Sequence, residues 1–271
     1  MERAVVREST IRAHYEAVRR AITAMRDQID QPLSLQSLAR IGVASPYHFT
    51  RTFRRVTGLP PFQFLSALRL DAARQLLLHT RRKVIEICYD VGYSSLGTFT
   101  RTFTHAFGVS PRTFRTLAER DSRAITGPVG LTLRDRSRTT GPTLSGRITT
   151  AQGFNGIICV GIFPTPIPQS KPMACCIAAE DGSYRIHDVP QGRWFLFALG
   201  LPYPLAASDC VAPESALRGG GHALSIAGED ICGETDLVLR PALETDPPIL
   251  LLLPNGIRKR KNKRNGSRAY A

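Results

Sequence analysis

Along the first half of the chain, apolar residues recur at helical spacing. Ser34 can cap a helix from Leu35 to Ile41 that keeps Leu35, Leu38 and Ala39 on one face; Gly42 then permits a sharp turn, and Ser45 with Pro46 opens a second helix. In that second helix Phe49 and Phe53 fall four apart and face a core, Tyr47, Thr50, Arg51 and Arg54 lie on other faces, and Gly58 stops it. Pro61 to His79 predicts a long helix with Phe64, Leu65, Leu68, Ala72, Leu76 and Leu77 as its apolar face. A second short pair follows. Val84 to Asp90 forms its first helix, Gly92 its turn and Ser94 or Ser95 its cap, Phe99 and Phe103 point inward, and Gly108 ends it. Only Arg82 and Lys83 precede Val84, so without a capping side chain the first turn there is expected to fray.

Near residue 124 the pattern changes. Gly, Pro and Thr become dense, and short alternating apolar runs replace the helical period: Leu144 to Thr149, Gly156 to Phe163, Met173 to Ala178, Ser183 to His187, Trp194 to Leu199 and Asp236 to Leu239. Asp181-Gly182 reads as a hairpin turn and Asp188 to Gly192 as another. These runs predict a small antiparallel β-sandwich. The expected organisation is an all-α, double helix-turn-helix (homeodomain-like) domain at 18–117, a linker at 118–141, an all-β sandwich at 142–253 and a disordered basic tail at 254–271.

The two helix pairs are copies of one unit. Gly42 to Phe64 aligns without gaps on Gly92 to Phe114, and Phe-Thr-Arg-Thr-Phe stands at 49–53 and again at 99–103. A duplicated supersecondary unit, with a long helix setting the distance between copies, is therefore expected.

Charge adds a partner to this picture. The 271 residues carry a formal charge of +14, but residues 1–123 hold 20 basic and 10 acidic side chains, residues 124–253 hold 9 and 12, and residues 254–271 hold 7 and none. The excess lies on the repeat and the tail, which favours DNA over a membrane surface. No apolar run is long enough to span a bilayer and no export signal opens the chain, so six cysteines (Cys88, Cys159, Cys175, Cys176, Cys210, Cys232) without a C-x-x-C pair are expected as reduced thiols in a cytoplasm. Adjacent Cys175 and Cys176 would point to opposite faces of a strand, so at most one is expected to be buried.

The residues Gly58-x-x-Pro61-x-x-Phe64-Leu-x-x-Leu68-Arg69 and Gly92-Tyr93-Ser-Ser95-x-x-x-Phe99-Thr-Arg101-Thr-Phe103-x-x-x-Phe107-Gly108-Val-Ser-Pro111-x-x-Phe114-Arg115 resemble the DNA-binding domain of bacterial AraC/XylS-type transcription regulators. The resemblance covers roughly Val18 to Leu117. It implies two recognition helices entering successive major grooves, with Tyr47, Thr50 and Arg51 in the first unit and Leu96, Gly97, Thr100 and Arg101 in the second nearest the base edges. Arg54, Arg55, His105 and Arg112 are then placed for phosphates. One departure stands out: Gly97 presents no side chain to a base, which weakens base reading there. The implied partners are double-stranded promoter DNA and RNA polymerase, with an effector ligand or homodimer contact assigned to the β-domain.

Ser145-Gly-Arg-Ile-Thr149 and Asp181 to Leu196 resemble carboxypeptidase-regulatory or transthyretin-like β-sandwiches, which names a fold more than a function. No catalytic, cofactor or metal site is expected. His187 and Asp188 would face opposite ways in a strand, and Glu180, Asp181 and Asp188 do not form a D-x-D-x-D-G calcium loop. The leading reading is a sequence-specific DNA-binding regulator and not an enzyme. The alternatives are a DNA-tethered adaptor and a DNA-modifying enzyme fused to the domain, such as an alkyl transferase. Family regulators usually carry the sensor upstream, whereas fewer than 20 residues precede the first unit here, so the expected order is inverted.

Overall fold

A computed structural model describes residues 2–121, 141–150, 154–203 and 215–251. The linker expected at 118–141 and the basic tail at 254–271 lie largely or wholly outside them. Among the described residues the helices are α1 (Glu2–Asp27), α2 (Leu35–Ile41), α3 (Pro46–Thr57), α4 (Pro61–His79), α5 (Val84–Asp90), α6 (Leu96–Phe107) and α7 (Pro111–Asp121). The helical part therefore starts earlier than residue 18. Val18, Ala21, Ile22 and Met25 bury the second half of α1, whereas residues 9–13 are exposed, so the apolar period that marks the helix begins only where it meets the core.

The expected caps form. Ser34 accepts from the Ser37 backbone N–H and the Ser37 hydroxyl accepts from the Ser34 N–H, while Ser45 and Ser95 accept from His48 and Thr98. Fraying of α5 is corrected: the Glu86 carboxylate accepts from the Lys83 backbone N–H, and Arg82 pairs with Asp90 at 2.6 Å, so both ends of that helix are tied. The first turn is also made differently from expectation. Gly42 keeps a helical φ of −76°, and the left-handed residue is the exposed Val43 at φ 55°. Gly42 is needed for contact instead, because a Cβ there would lie 2.8 Å from the Phe49 ring.

The duplication is visible in the core. Phe53 meets Phe64 edge-on at 5.5 Å and 83°, and fifty residues on Phe103 meets Phe114 at 5.5 Å and 89°. All four rings are fully buried. Helix α4 joins the copies and is buried on more than one side, with Ala67, Leu70 and Ala73 added to the expected face.

The strands are β1 (Leu144–Thr149), β2 (Gly156–Phe163), β3 (Ala174–Ile177), β4 (Ser183–Ile186), β5 (Gly192–Pro202), β6 (Leu217–Ala227), β7 (Asp230–Cys232) and β8 (Leu237–Val238). They form one sheet in the order β4-β1-β8 and another in the order β3-β2-β5-β6-β7. Leu144, Ile148, Tyr184 and Ile186 from the first share a core with Val160, Ile162, Leu196, Leu224 and Ile226 from the second. A purely antiparallel arrangement is corrected, because β1 pairs with β8 in parallel, Ile148 opposite Leu237. Strands β6 and β7 were not expected. Strand β6 runs through Gly219 to Gly221 with an irregular register opposite Leu196 and Phe197.

Candidate nucleic-acid interface

Each unit places its second helix, α3 or α6, against a phenylalanine core and leaves the opposite side polar. Phe49, Phe53, Phe99 and Phe103 anchor the two helices and are completely or almost completely buried. On α3, Tyr47 is 80% exposed and Arg51, Arg54 and Arg55 are exposed, while Thr50 is half-buried. The Thr50 hydroxyl donates to the Pro46 carbonyl at 2.9 Å, so its proton is held within the helix and the side chain offers lone pairs and a methyl group.

On α6, Leu96, Gly97 and Arg101 are exposed and Thr100 is half-buried; Arg112, on α7, is exposed. Gly97 is the second residue of α6, and a Cβ there would meet only the capping Ser95 hydroxyl, at 3.7 Å. Packing does not demand glycine at this position. Arg51, Arg54, Arg55, Arg101 and Arg112 take part in no ion pair among the described residues. Among the described residues they are thus exposed cations without a carboxylate to neutralise them, as phosphate or guanine contact requires.

His105 stands apart from the other candidates. It is exposed but lines a cleft of about 270 Å³ together with Gln63, Ser66, Thr102, Thr165 and Gln169, between α4, α6 and the loop 165–169 of the β-rich region. His48 on α3 packs its ring against His14 of α1 at 5.6 Å, a contact between the candidate reading helix and the first helix that sequence spacing does not reveal.

Arg69 is the polar group most responsible for positioning. From α4 it donates through Nε to the Ile29 carbonyl at 2.9 Å and through Nη2 to the Gln31 carbonyl at 2.8 Å, fixing the loop between α1 and α2. Burial pushes its pKa down from the ordinary arginine value. Tyr93, following the turn of the second unit, packs on Phe99 at 5.3 Å, and its hydroxyl lies 3.4 Å from that of Ser66 on α4.

Among the described residues nothing comparable assembles elsewhere. Asp181 accepts from the backbone N–H and hydroxyl of Ser183 in a hairpin turn, and Asp188 accepts from the Gly141 N–H, tying together two segments distant in sequence. His187 Nδ1 lies 3.1 Å from the Thr143 hydroxyl. Among the described residues no group of three or more His, Cys, Asp or Glu could hold a metal ion, and no helix is long and apolar enough to cross a membrane. Cys88 is buried and desolvation raises its pKa, the opposite of an activated thiolate.

Residues 38–116 match the family described as "Helix-turn-helix domain". Regulatory protein SoxS of Salmonella typhimurium is 31% identical over 103 residues, which are 38% of this chain and 96% of that protein. The bifunctional transcriptional activator/DNA repair enzyme AdaA of Bacillus subtilis is 32% identical over 89 residues, 33% of this chain and 42% of that protein. Among solved structures, the DNA-binding domain of AdpA in complex with a target DNA shares 25% identity, with a TM-score of 0.37 over 41% of this chain and 97% of that one. For AdaA, as for the right origin-binding protein of Escherichia coli (31% identity, 42% of this chain, 39% of that protein), the chain spans less than half of the relative's length.

Proposed function

The chain belongs to the AraC-type family of helix-turn-helix transcription regulators, and from that premise we propose that it binds duplex DNA sequence-specifically, placing α3 and α6 in successive major grooves. The observation that carries this reading is the pair Arg51 and Arg101, which occupy the same position in the two copies, both exposed and outside any ion pair among the described residues. A guanidinium can donate two hydrogen bonds to guanine O6 and N7, worth about 1–3 kcal/mol of discrimination per pair. Tyr47, Thr50, Leu96 and Thr100 then lie along the same base-facing sides, with Gly97 leaving a bare stretch of backbone. Arg54, Arg55 and Arg112 hold phosphates, and the basic residues 258–268 add sequence-independent attraction.

The β-rich region reads as a sandwich of the carboxypeptidase-regulatory or transthyretin-like kind, supported by two sheets that share one core. Its proposed role is regulatory. Selection of bound sites from a random DNA pool tests the whole reading, because two half-sites about 34 Å apart, one helical turn, are expected. Recovery of no motif, or recovery of the same motif by a chain carrying both Arg51→Ala and Arg101→Ala, counts against it.

A further inference from the structure

Among the described residues, one set of contacts between the β-rich region and the helical part reaches into the helical core. Two of its segments, 165–170 and 249–250, run side by side there: the Leu250 N–H donates to the Pro168 carbonyl at 3.0 Å, and Gln169 bridges to Leu250 in parallel. Together they form a finger. Ile167 and Leu250, 8% and 1% exposed, are members of the helical core and not of the β core.

Polar contacts converge on the same finger. Ser170 donates its backbone N–H to the Ala106 carbonyl in the last turn of α6, a group that has no partner within the helix. Ser170 holds φ at 61°, a left-handed conformation that a non-glycine residue adopts at a cost met by its surroundings. From α4, Arg74 is 5% exposed, pairs with Asp71 at 2.5 Å and donates to the Ile249 carbonyl at 3.1 Å. A buried guanidinium with a carboxylate on one side and a finger carbonyl on the other is costly to leave buried and half-paired.

These contacts fall on α4 and α6, the joining helix and the second candidate reading helix. A further contact lies on α1, where Arg19 stands 3.9 Å from Glu244. We propose that the finger is a specificity-determining brace: by tying α6 to α4 it fixes the distance and angle between the two reading helices, and so selects the spacing of the two half-sites. This rests on the tandem-groove reading proposed above. A tandem reader with a loose joint tolerates spacing changes, since each unit can follow its own groove; a braced one has to deform the DNA instead.

The test measures binding of the full chain to duplexes in which the selected half-sites are moved apart or together by one and two base pairs. Wild type is expected to favour one spacing by about tenfold or more. The double variant Ile167→Ser with Leu250→Ser should bind all spacings within about threefold of one another. Ile167→Ala, which trims the apolar contact and leaves the finger's backbone unaltered, provides a second variant if the first does not fold, as judged by circular dichroism. Hydrogen exchange at residues 165–170 reports release of the finger. A sharp preference that persists with the finger released overturns the brace and leaves the groove reading intact, and tighter binding at every spacing overturns it in favour of an inhibitory contact. Failure of wild type to select paired half-sites at all is failure of the underlying reading.

Discussion

A Cβ at Gly92 would lie 2.7 Å from the Arg69 Nη2 and 2.7 Å from the Ile29 carbonyl, the same carbonyl that Arg69 holds through Nε. The turn of the second unit thus sits on the side chain that fixes the first unit's loop. Gly92 also has φ +79°, so it meets both conformational and steric demands. Gly58 has the same φ with nothing within 4 Å of an added Cβ. Gly58→Ala should cost about 1–2 kcal/mol from backbone conformation alone, and Gly92→Ala about 2–4 kcal/mol once overpacking is added. Urea unfolding of the two variants separates the effects; equal losses would show that Arg69 yields without cost.

Gly97 gives the opposite expectation. Its backbone is helical and a side chain has room beside Ser95. Gly97→Ala should raise stability by about 0.5–1 kcal/mol by restricting the unfolded chain and favouring the first turn. Thermal unfolding checks this, and a fall in Tm would mean that glycine is required for a reason absent from the local packing.

The salt dependence of DNA binding distinguishes the two kinds of arginine. Arg112→Ala should reduce the slope of log K against log salt by about one without altering the selected sequence. Arg101→Ala should relax the choice at one base position, at a cost of about 1–3 kcal/mol for the preferred site. Parallel titrations on specific and scrambled duplexes read both. Identical loss on both duplexes for Arg101→Ala would move it among the phosphate contacts.

The thiols give a pH-dependent prediction. Burial pushes Cys175 up to about 11 and Cys176 to about 12, whereas Cys232 is exposed. At pH 8 about one thiol in a thousand is ionised at a pKa of 11, so Cys232 should alkylate well before either. The folded state holds these protons longer than the unfolded state does. Stability contributed by the two thiols is therefore present below the ordinary thiol value and lost as pH rises from about 9 towards 11 and 12. Mass spectrometry of timed iodoacetamide labelling gives the order of reaction, and early labelling of Cys175 or Cys176 would contradict the burial.

Local signals account for what was legible in the sequence. The serines at 34, 45 and 95, the prolines at 46 and 61 and the paired phenylalanines each specify their element within a few residues, so α2, α3, α4 and α6 follow directly from the sequence. Arg51 and Arg101 were equally legible because duplication marks that position twice. Long-range and backbone-driven features were not. The left-handed residue of the first turn is Val43, beside a Gly42 whose missing Cβ leaves room for the Phe49 ring, and β6 runs through three glycines while Gly219 and Gly220 pair with Ala198 and Phe197 of β5. Arg69 and Arg74 look like any helix-surface arginine until the carbonyls of Ile29, Gln31 and Ile249 are brought to them by distant segments.

The parallel pairing of β1 with β8 joins Ile148 to Leu237 across most of the β-rich region. Helices α1 to α7 pack through neighbours close in sequence, so on the ribosome the helical half can close soon after Asp121 has emerged. Its partner sheet has to wait for Leu237, and the finger for Leu250. During synthesis the chain therefore passes through an interval in which α3 and α6 are complete and the finger is not yet in place; under the proposed bracing, spacing selection begins only when that interval ends.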